Sequence, residues 1–279
     1  MDLLEALKYI ILGLIQGITE VLPISSSGHV EIVKALVSLQ QDEGLLFLIL
    51  VNTGSFVTLF LIYFKKLWHI AIDFILYIFK KTDKEIHLDG FKFFIKLIIA
   101  SIPAGVIGIL FNDQLDQLTK QYSTLLAGVG LLITGTVLVL AATRRVKRGK
   151  TQINYADAII VGLAQGIALL PGVSRSGMTA STSIYRGMGV TTALDFSFLL
   201  YIPASLGSIL VMFLKSGSEG FGIEDNIHLV YYGLAFITAM IATYFAYKLI
   251  FNIFRTGKVR YFGFYCLVAG FFSIGLYIF

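Results

Sequence analysis

Three ionisable residues stand inside otherwise apolar sequence, and their types suit work on a phosphate group. Glu20 comes four residues after Gln16, so both side chains lie on one face of a helix. His29 can transfer a proton near neutral pH or attack phosphorus directly. Arg175 can hold a phosphate through two parallel N–H bonds, and it keeps its charge away from water. Such groups are costly in an apolar segment, so each one is a functional candidate.

Hydroxyl groups and glycine surround these ionisable residues. We expect the three serines after Pro23 to form a turn and the start of the next helix. Backbone N–H groups there, with the positive end of the helix dipole, make an anion site. N-capping explains one serine, but three beside a histidine favour phosphate binding. The catalytic candidates are Glu20, Ser26, His29 and Arg175, and the substrate-binding candidates are Gln16, Ser25, Ser27, Gly28, Ser174, Ser176 and Thr179.

Each ionisable candidate also has a simpler structural interpretation. Glu20 could reach the membrane interface, His29 could be a hydrogen-bonded core residue, and Arg175 could form a buried salt bridge with Glu20. A carboxylate repels phosphate, and it becomes useful beside one when it binds a divalent cation. We therefore expect Glu20 to be the ligand of a Mg²⁺ or Ca²⁺ ion.

The two segments that carry these residues are versions of each other. Residues 13–29 and 162–178 align without gaps and are identical at eight positions, among them a glutamine, two serines and three glycines. The match predicts an internal duplication. Glu20, His29 and Arg175 have no counterpart in the other copy, so each half is expected to supply different chemistry to one site.

The composition predicts an all-α polytopic membrane protein. Of the 279 residues, 57% are hydrophobic and 14% charged, and the mean hydropathy is +0.83. Soluble domains have about 25% charged residues, and a helix needs about 20 apolar residues to cross a bilayer. Six spans are predicted, near 45–64, 91–111, 123–142, 194–214, 229–251 and 260–278.

Two further apolar segments, about 3–22 and 155–170, run into turns rich in Pro, Gly and Ser. Short amphipathic stretches follow each turn, so each segment predicts a re-entrant helical hairpin. Non-helical backbone at membrane depth is tolerated only where it is buried in protein or lines a wet cavity. The turns are therefore functional-site candidates. Asn52–Gly54 and Tyr201–Ala204 look like helix interruptions that face the hairpins.

The charge distribution favours a membrane orientation over a nucleic-acid partner. The net charge is +5, and thirteen basic residues fall in three alternate connections: Lys65, Lys66, Lys80, Lys81, Lys84, Arg144, Arg145, Lys147, Arg148, Lys150, Arg255, Lys258 and Arg260. The opposite connections hold Lys120 and Lys215 beside Asp113, Asp116, Glu219, Glu224 and Asp225. By the positive-inside rule the basic set is cytoplasmic.

Three predicted crossings separate the two hairpins, and an odd number inverts the second half relative to the first. The first hairpin then enters from the outer side and the second from the inner side, with their tips meeting inside the bilayer. The predicted organisation is one membrane domain, 1–279, with repeat 1 about 1–142, a basic connection 143–154 and repeat 2 about 155–279.

The chain resembles the undecaprenyl pyrophosphate phosphatase family of bacitracin-resistance type in two motifs, namely Gln16-xxx-Glu20 with Leu22–His29, and Pro171–Ser176. The resemblance implies hydrolysis of a C55 polyprenyl pyrophosphate to the monophosphate, which recycles the lipid carrier of bacterial cell-wall synthesis. It also implies a divalent metal, bacitracin resistance, and a site in the bacterial plasma membrane that opens to the outer face.

By position, the family's glutamate motif falls on Gln16 and Glu20, its serine on Ser26, its histidine on His29 and its arginine on Arg175. Gln16 stands where many relatives have a glutamate, so Glu20 becomes the principal metal candidate. Two mechanisms stay open. Either Ser26, deprotonated by His29, attacks the terminal phosphorus, or His29 activates water.

Inverted repeats with broken helices are also a carrier architecture. A lipid-phosphate or anion transporter is therefore the second candidate function, and release of inorganic phosphate distinguishes the two. The expected partners are the polyprenyl pyrophosphate and membrane lipids. The oligomeric state stays open, with a homodimer among the alternatives.

Overall fold

The computed structural model describes residues 3–36, 45–79, 84–144, 149–219 and 226–278, and over these ranges the chain forms helices and no β-strand. An isolated bridge joins Lys150 to Met188. The helices are α1 (Leu3–Val21), α2 (Ser26–Leu36), α3 (Leu45–Phe79), α4 (Lys84–Thr143), α5 (Tyr155–Ile167), α6 (Arg175–Tyr185), α7 (Val190–Glu219), α8 (Asn226–Arg255) and α9 (Val259–Ile278). The all-α prediction is confirmed.

Five helical segments are long and apolar enough to cross a membrane, namely Lys84–Phe111, Gln117–Thr143, Val190–Val211, Leu229–Arg255 and Val259–Ile278. They confirm five of the six predicted spans and a multi-pass membrane protein. The sixth predicted span, 45–64, lies in α3, a helix of 35 residues that continues to Phe79. The end of α3 packs on the start of α4, where the rings of Phe74 and Phe91 lie 5.7 Å apart.

Helix α4 contains two of these spans, and the chain folds back between them. Its helical geometry breaks at Tyr122 (φ −134°, ψ 35°). A straight helix would separate Gly108 from Ala127 by about 28 Å. Yet Leu169 touches Gly108, and Gly172 packs on Ala127. Residues 169 and 172 are three positions apart and so at most about 10 Å apart, which places Gly108 and Ala127 closer together than a straight helix allows. Both spans of α4 therefore reach the turn of the second hairpin.

The two predicted hairpins are present, and each turn has a local cause. Helix α1 ends before Pro23 and helix α5 ends before Pro171, because proline removes a backbone donor and disfavours helix in the residue before it. The second turn also needs Gly172, whose φ is +81° and whose added Cβ would lie 2.3 Å from the carbonyl oxygen of Ala127.

Serine hydroxyl groups start the second helix of each hairpin in the same way. The Ser25 Oγ accepts a hydrogen bond from the Gly28 amide at 3.2 Å, and the Ser174 Oγ accepts one from the Gly177 amide at 3.1 Å. These are N-cap contacts. The structure thus repeats one local arrangement at two equivalent turns.

Equivalent glycines seat the two hairpins in the helix bundle. A Cβ on Gly13 would lie 2.4 Å from the carbonyl oxygen of Ala235 in α8, and one on Gly162 would lie 2.5 Å from that of Ala100 in α4. One turn later, Gly17 packs on α8 and Gly166 on α4. The contacts advance in the same direction along both partners, so each hairpin helix runs parallel to the span that it packs against.

A seam of four glycines joins the two halves. Gly128 in α4 packs on Gly270 in α9, and Gly135 packs on Gly263, each with a Cβ position 2.7–2.8 Å from the facing carbonyl oxygen. The contact order is reversed along the two helices, so they are antiparallel. Since Gly128 and Gly135 have the same spacing as Gly263 and Gly270, a two-fold axis perpendicular to the helices relates the pairs. An inverted repeat has this geometry.

Part of the charge pattern behind the predicted orientation lies outside the described residues. These positions are Lys80, Lys81, Arg145, Lys147, Arg148, Glu224 and Asp225, together with the side chains of Asp116, Lys215 and Glu219. The sidedness of the protein and the exact limits of the two repeats, with the connection 143–154, stay predictions.

Replacing Gly162 by alanine should destabilise the protein, because the new methyl group must displace backbone of α4. Overpacking of this kind costs about 1–3 kcal/mol. We expect a fall in melting temperature in detergent of about 3–10 °C. Gly105→Ala, on the same α4 span, is the control, because its Cβ would meet nothing within 4 Å. Equal melting temperatures for the two variants would contradict the close packing of α5 on α4.

Candidate active site

The site is built around the carboxylate of Glu20, which lies in the last turn of α1 with a side chain only 8% exposed. Its Oε1 accepts a hydrogen bond from the Arg175 guanidinium at 2.6 Å. Its Oε2 accepts from the Ser26 hydroxyl at 2.6 Å and from the Gln16 side-chain amide at 2.9 Å. A buried carboxylate without such partners would be strongly unfavourable, and these three donors satisfy it.

Ser26 and Arg175 reach Glu20 from equivalent positions of the two repeats. Each is the first residue of the second hairpin helix, α2 or α6. The side chain of the first residue of each helix therefore donates to the same carboxylate. A helix N-terminus carries partial positive charge and favours an anion. A guanidinium and a hydroxyl group, each from the first residue of a helix, thus converge on one carboxylate.

The turns of the two hairpins bind each other directly. The Gly172 amide donates to the Ser27 hydroxyl oxygen at 3.2 Å, and the Ser176 hydroxyl donates to the Leu22 carbonyl at 3.3 Å. The buried Thr134 of α4 accepts from the Ser174 amide at 2.9 Å. The structure thus confirms that the two tips meet, and the second span of α4 supports the contact.

Asn52 of α3 extends the polar cluster behind Glu20. Gln16, which is buried, donates to the Asn52 side-chain oxygen at 2.7 Å as well as to Glu20. The sequence suggested a helix interruption at Asn52–Gly54, and that is wrong, because α3 is continuous there. The expectation that this segment faces a hairpin is confirmed by the contact with Gln16.

Tyr201 of α7 lies under the guanidinium of Arg175, with 4.1 Å between the Arg175 Cζ and the ring centroid. The predicted interruption at Tyr201–Ala204 is also wrong, because α7 continues through Pro203. The aromatic face holds the cation from one side while Glu20 binds it from another. A small cavity opens at this point, lined by Glu20, Arg175, Ser176, Ser197, Phe198 and Tyr201.

His29 lies on α2, one turn after Ser26, and in the described part of the chain its ring forms hydrogen bonds with neither Ser26 nor Glu20. Its Nδ1 lies 2.8 Å from the Ser25 carbonyl oxygen, and its Nε2 lies 2.7 Å from the Tyr265 hydroxyl. The Ser26 hydroxyl donates instead to Glu20. The acceptor beside the serine in this structure is therefore the carboxylate.

Thr179 is predicted to line the site, and the structure places it one turn behind Arg175. Its hydroxyl donates to the Arg175 carbonyl at 2.9 Å and contacts the Ser197 hydroxyl. It is buried and fixes α6 against α7. Tyr265 could not be selected from the sequence, because aromatic residues on apolar helices are usually lipid contacts.

The described residues contain no group of three or more His, Cys, Asp or Glu side chains that could hold a metal ion. Glu20 is the one carboxylate in the cluster that the structure describes, beside the neutral amide of Gln16. Mg²⁺ is commonly held by one or two carboxylates together with water and phosphate oxygens. The residues present therefore fit a divalent ion that takes most of its ligands from a bound diphosphate.

Comparison with known proteins identifies the family of the chain. The model of the family described as bacitracin resistance protein BacA matches residues 9–272. The chain belongs to the BacA family. A curated protein of Bacillus anthracis named undecaprenyl-diphosphatase 3 is 43% identical over 266 residues, which cover 95% of each chain. An undecaprenyl-diphosphatase of Oceanobacillus iheyensis is 41% identical over 94% of this chain and 93% of the relative.

A more distant undecaprenyl-diphosphatase, from Alkaliphilus metalliredigens, is 36% identical over 94% of this chain and 95% of the relative. The BacA match runs from α1 to α9, so it includes both hairpins and every candidate residue from Gln16 to Tyr265. Membership of the BacA family therefore concerns the whole arrangement described above.

The ion pair of Glu20 and Arg175 should be strongly coupled in stability. Either Glu20→Gln or Arg175→Met leaves a charge without its partner in a mostly buried site, whereas the double variant removes both charges. We expect the double variant to recover about 2 kcal/mol relative to the sum of the single losses. The measurement is a double-mutant cycle of SDS-induced unfolding in mixed micelles.

The pair of Glu5 and Lys8 is the control for this cycle, because it is more exposed, at 36% and 30%. Its coupling should stay below about 1 kcal/mol. Equal coupling for the two pairs would contradict a desolvated ion pair at the centre of the site.

Proposed function

We propose that this BacA family member hydrolyses undecaprenyl pyrophosphate to undecaprenyl phosphate and inorganic phosphate, and so recycles the carrier lipid of cell-wall synthesis. One observation carries the proposal. Ser26 and Arg175, the first residues of α2 and α6, both donate to Glu20, the one carboxylate of the cluster within the described residues. The relatives named undecaprenyl-diphosphatase identify the substrate class.

The diphosphate binds by taking Arg175 away from Glu20. In the structure the Arg175 guanidinium donates a hydrogen bond to one oxygen of the Glu20 carboxylate at 2.6 Å. A diphosphate presents several charged oxygens, and guanidinium binds these bidentately. Because the guanidinium lies over the face of the Tyr201 ring, it can turn towards the cavity without losing this aromatic contact. Substrate binding then frees Glu20 Oε1 next to the reacting phosphate.

In the chemical step, the Ser26 oxygen attacks the terminal phosphorus. The Oγ–P bond forms, and the bond from phosphorus to the bridging oxygen breaks, which releases undecaprenyl phosphate. The hydroxyl proton passes to Glu20, to which Ser26 already donates at 2.6 Å. Water then hydrolyses the phosphoserine and yields inorganic phosphate. Positioning and charge neutralisation supply most of the catalysis in phosphoryl transfer.

The geometry changes the role proposed for His29. The sequence suggested that His29 deprotonates Ser26, but the serine hydroxyl is directed at Glu20. His29 Nε2 lies 2.7 Å from the Tyr265 hydroxyl instead. Because its ring is not bonded to the serine hydroxyl, we propose that His29 is the base in water activation, either for the phosphoserine or for direct attack on phosphorus.

A divalent ion, Mg²⁺ or Ca²⁺, would be held by Glu20 together with the diphosphate, and it would neutralise charge on the phosphate oxygens. The charge pattern supports a first hairpin that enters from the outer face of the bacterial plasma membrane. On this orientation the head group of the substrate reaches the site from the outer leaflet.

Phosphate release from undecaprenyl pyrophosphate by detergent-solubilised protein tests the function, with Mg²⁺ or Ca²⁺ and with a chelator. Arg175→Lys should lose at least about a hundredfold in kcat/KM, because an ammonium group cannot bind phosphate bidentately. Glu20→Ala and His29→Ala should lose as much. Chelator should abolish release by the parent.

Arg186→Lys is the matched control for Arg175→Lys. It lies at the other end of α6 and also pairs with a buried carboxylate, that of Asp157 at 2.9 Å. Activity should stay within about twofold of the parent, as expected for a residue outside the site. A well-folded parent that releases no phosphate with any metal would overturn the proposal in favour of a lipid-phosphate carrier.

The serine mechanism has its own test. A variant with His29→Ala should accumulate phosphoserine at Ser26, because water attack is slowed after the first step. Rapid acid quenching and mass spectrometry of the peptide that contains Ser26 would detect it. A Ser26→Ala protein that keeps substantial activity would exclude the covalent route and leave His29-activated water.

A further inference from the structure

Both ring nitrogens of His29 are engaged in the structure, and the second partner comes from a distant helix. Nδ1 meets the carbonyl of Ser25 at 2.8 Å. Nε2 meets the hydroxyl of Tyr265, in α9, at 2.7 Å. The two rings are also stacked, with centroids 5.4 Å apart and planes inclined by 16°. Tyr265 thus contacts the catalytic candidate by both a hydrogen bond and its ring face.

The hydrogen bonds identify the tautomer of neutral His29. A carbonyl oxygen only accepts, so Nδ1 must carry the proton that it shares with Ser25. Nε2 then has the free lone pair, and the Tyr265 hydroxyl donates to it. The basic nitrogen of His29 is therefore the one that Tyr265 holds.

The backbone fixes both ends of this arrangement. Ser25 has a φ of +70°, in the left-handed region that non-glycine residues seldom adopt, and this conformation turns its carbonyl towards the His29 ring. Tyr265 lies two residues after Gly263, where α9 is in backbone contact with Gly135 of α4. The ring of Tyr265 is consequently presented from a closely packed seam, although 48% of its surface is exposed.

We propose that Tyr265 takes part in the hydrolysis by setting the plane of the His29 ring and by passing a proton from the attacking water to Nε2. In the step, the Tyr265 hydroxyl gives its proton to Nε2 and takes one from the attacking water while the oxygen–phosphorus bond forms. The Tyr265 oxygen can then accept a hydrogen bond from the new Nε2–H. This inference rests on the proposed phosphatase function, and it adds a residue from the second repeat to the site.

The first experiment measures His29 in the ligand-free protein, independently of activity. Protein labelled with ¹⁵N-histidine in detergent should show His29 as the Nδ1–H tautomer with a hydrogen-bonded Nε2, assigned by loss of the signal in His29→Gln. Tyr265→Phe should shift the Nε2 resonance because the donor is lost. Tyr261→Phe should leave it unchanged, because that hydroxyl, on the same helix, accepts from Arg260 at 3.0 Å.

The second experiment separates positioning from binding. Tyr265→Phe keeps the stacked ring and removes one hydrogen bond, so kcat should fall about fivefold while KM stays within about twofold. Tyr265→Leu removes the ring as well, and kcat should fall further, by about fiftyfold. Tyr261→Phe should match the parent in both constants, and melting temperatures would show that each variant is folded.

An unchanged Nε2 resonance in folded Tyr265→Phe would overturn the proposal, and so would an unchanged kcat. A rise in KM alone would also overturn it, because Tyr265 would then be a binding residue. If the parent released no phosphate, the phosphatase proposal would fail, whereas the histidine spectra would still report the contact with Tyr265. Failure of the two proposals can therefore be distinguished.

Discussion

The burial of one negative charge organises this protein. Glu20 is 8% exposed, and a carboxylate in that position is stable only if donors surround it. The donors come from α1 itself, from the start of α2 and from the start of α6. The N-terminal ends of two hairpin helices must therefore meet, and this requires close seating of each hairpin against a span. The glycines at that packing surface allow the approach.

The same interaction explains why a duplicated scaffold has an asymmetric site. Ser26 and Arg175 occupy equivalent positions, and the counterpart of Glu20 is Leu169. A second carboxylate at 169 would bring two negative charges into one buried cluster that contains one guanidinium. The two segments instead supply one anion with a hydroxyl donor on one side and a cation on the other. The repeat supplies geometry, and the differences between its copies supply the chemistry.

Much of the architecture could be predicted from the sequence because it depends on local signals. Pro23 and Pro171 end helices, serines start them, and long apolar runs cross membranes. The alignment of the copies also predicted that the two turns meet.

The partner of the Ser26 hydroxyl could not be predicted, because it depends on the relative rotation of α1 and α2. Tyr265 could not be selected either, because its contact with His29 crosses 236 residues of chain. The predicted helix interruption at Tyr201–Ala204 is absent, because surrounding groups in a helix bundle can satisfy the backbone carbonyl that Pro203 leaves without a donor.

The structure has the geometry of a site at rest, and this has a consequence for turnover. Arg175 is already neutralised by Glu20, so a ligand binds only if it competes with a carboxylate that is held in place. A diphosphate competes well, because it offers more charge and a bidentate grip. The monophosphate products carry less charge per molecule, and Glu20, tethered beside Arg175, acts at a high effective concentration. On the proposed mechanism, re-formation of the ion pair would then favour release of the products, so the interaction that stabilises the ligand-free site would also limit how tightly the products are retained.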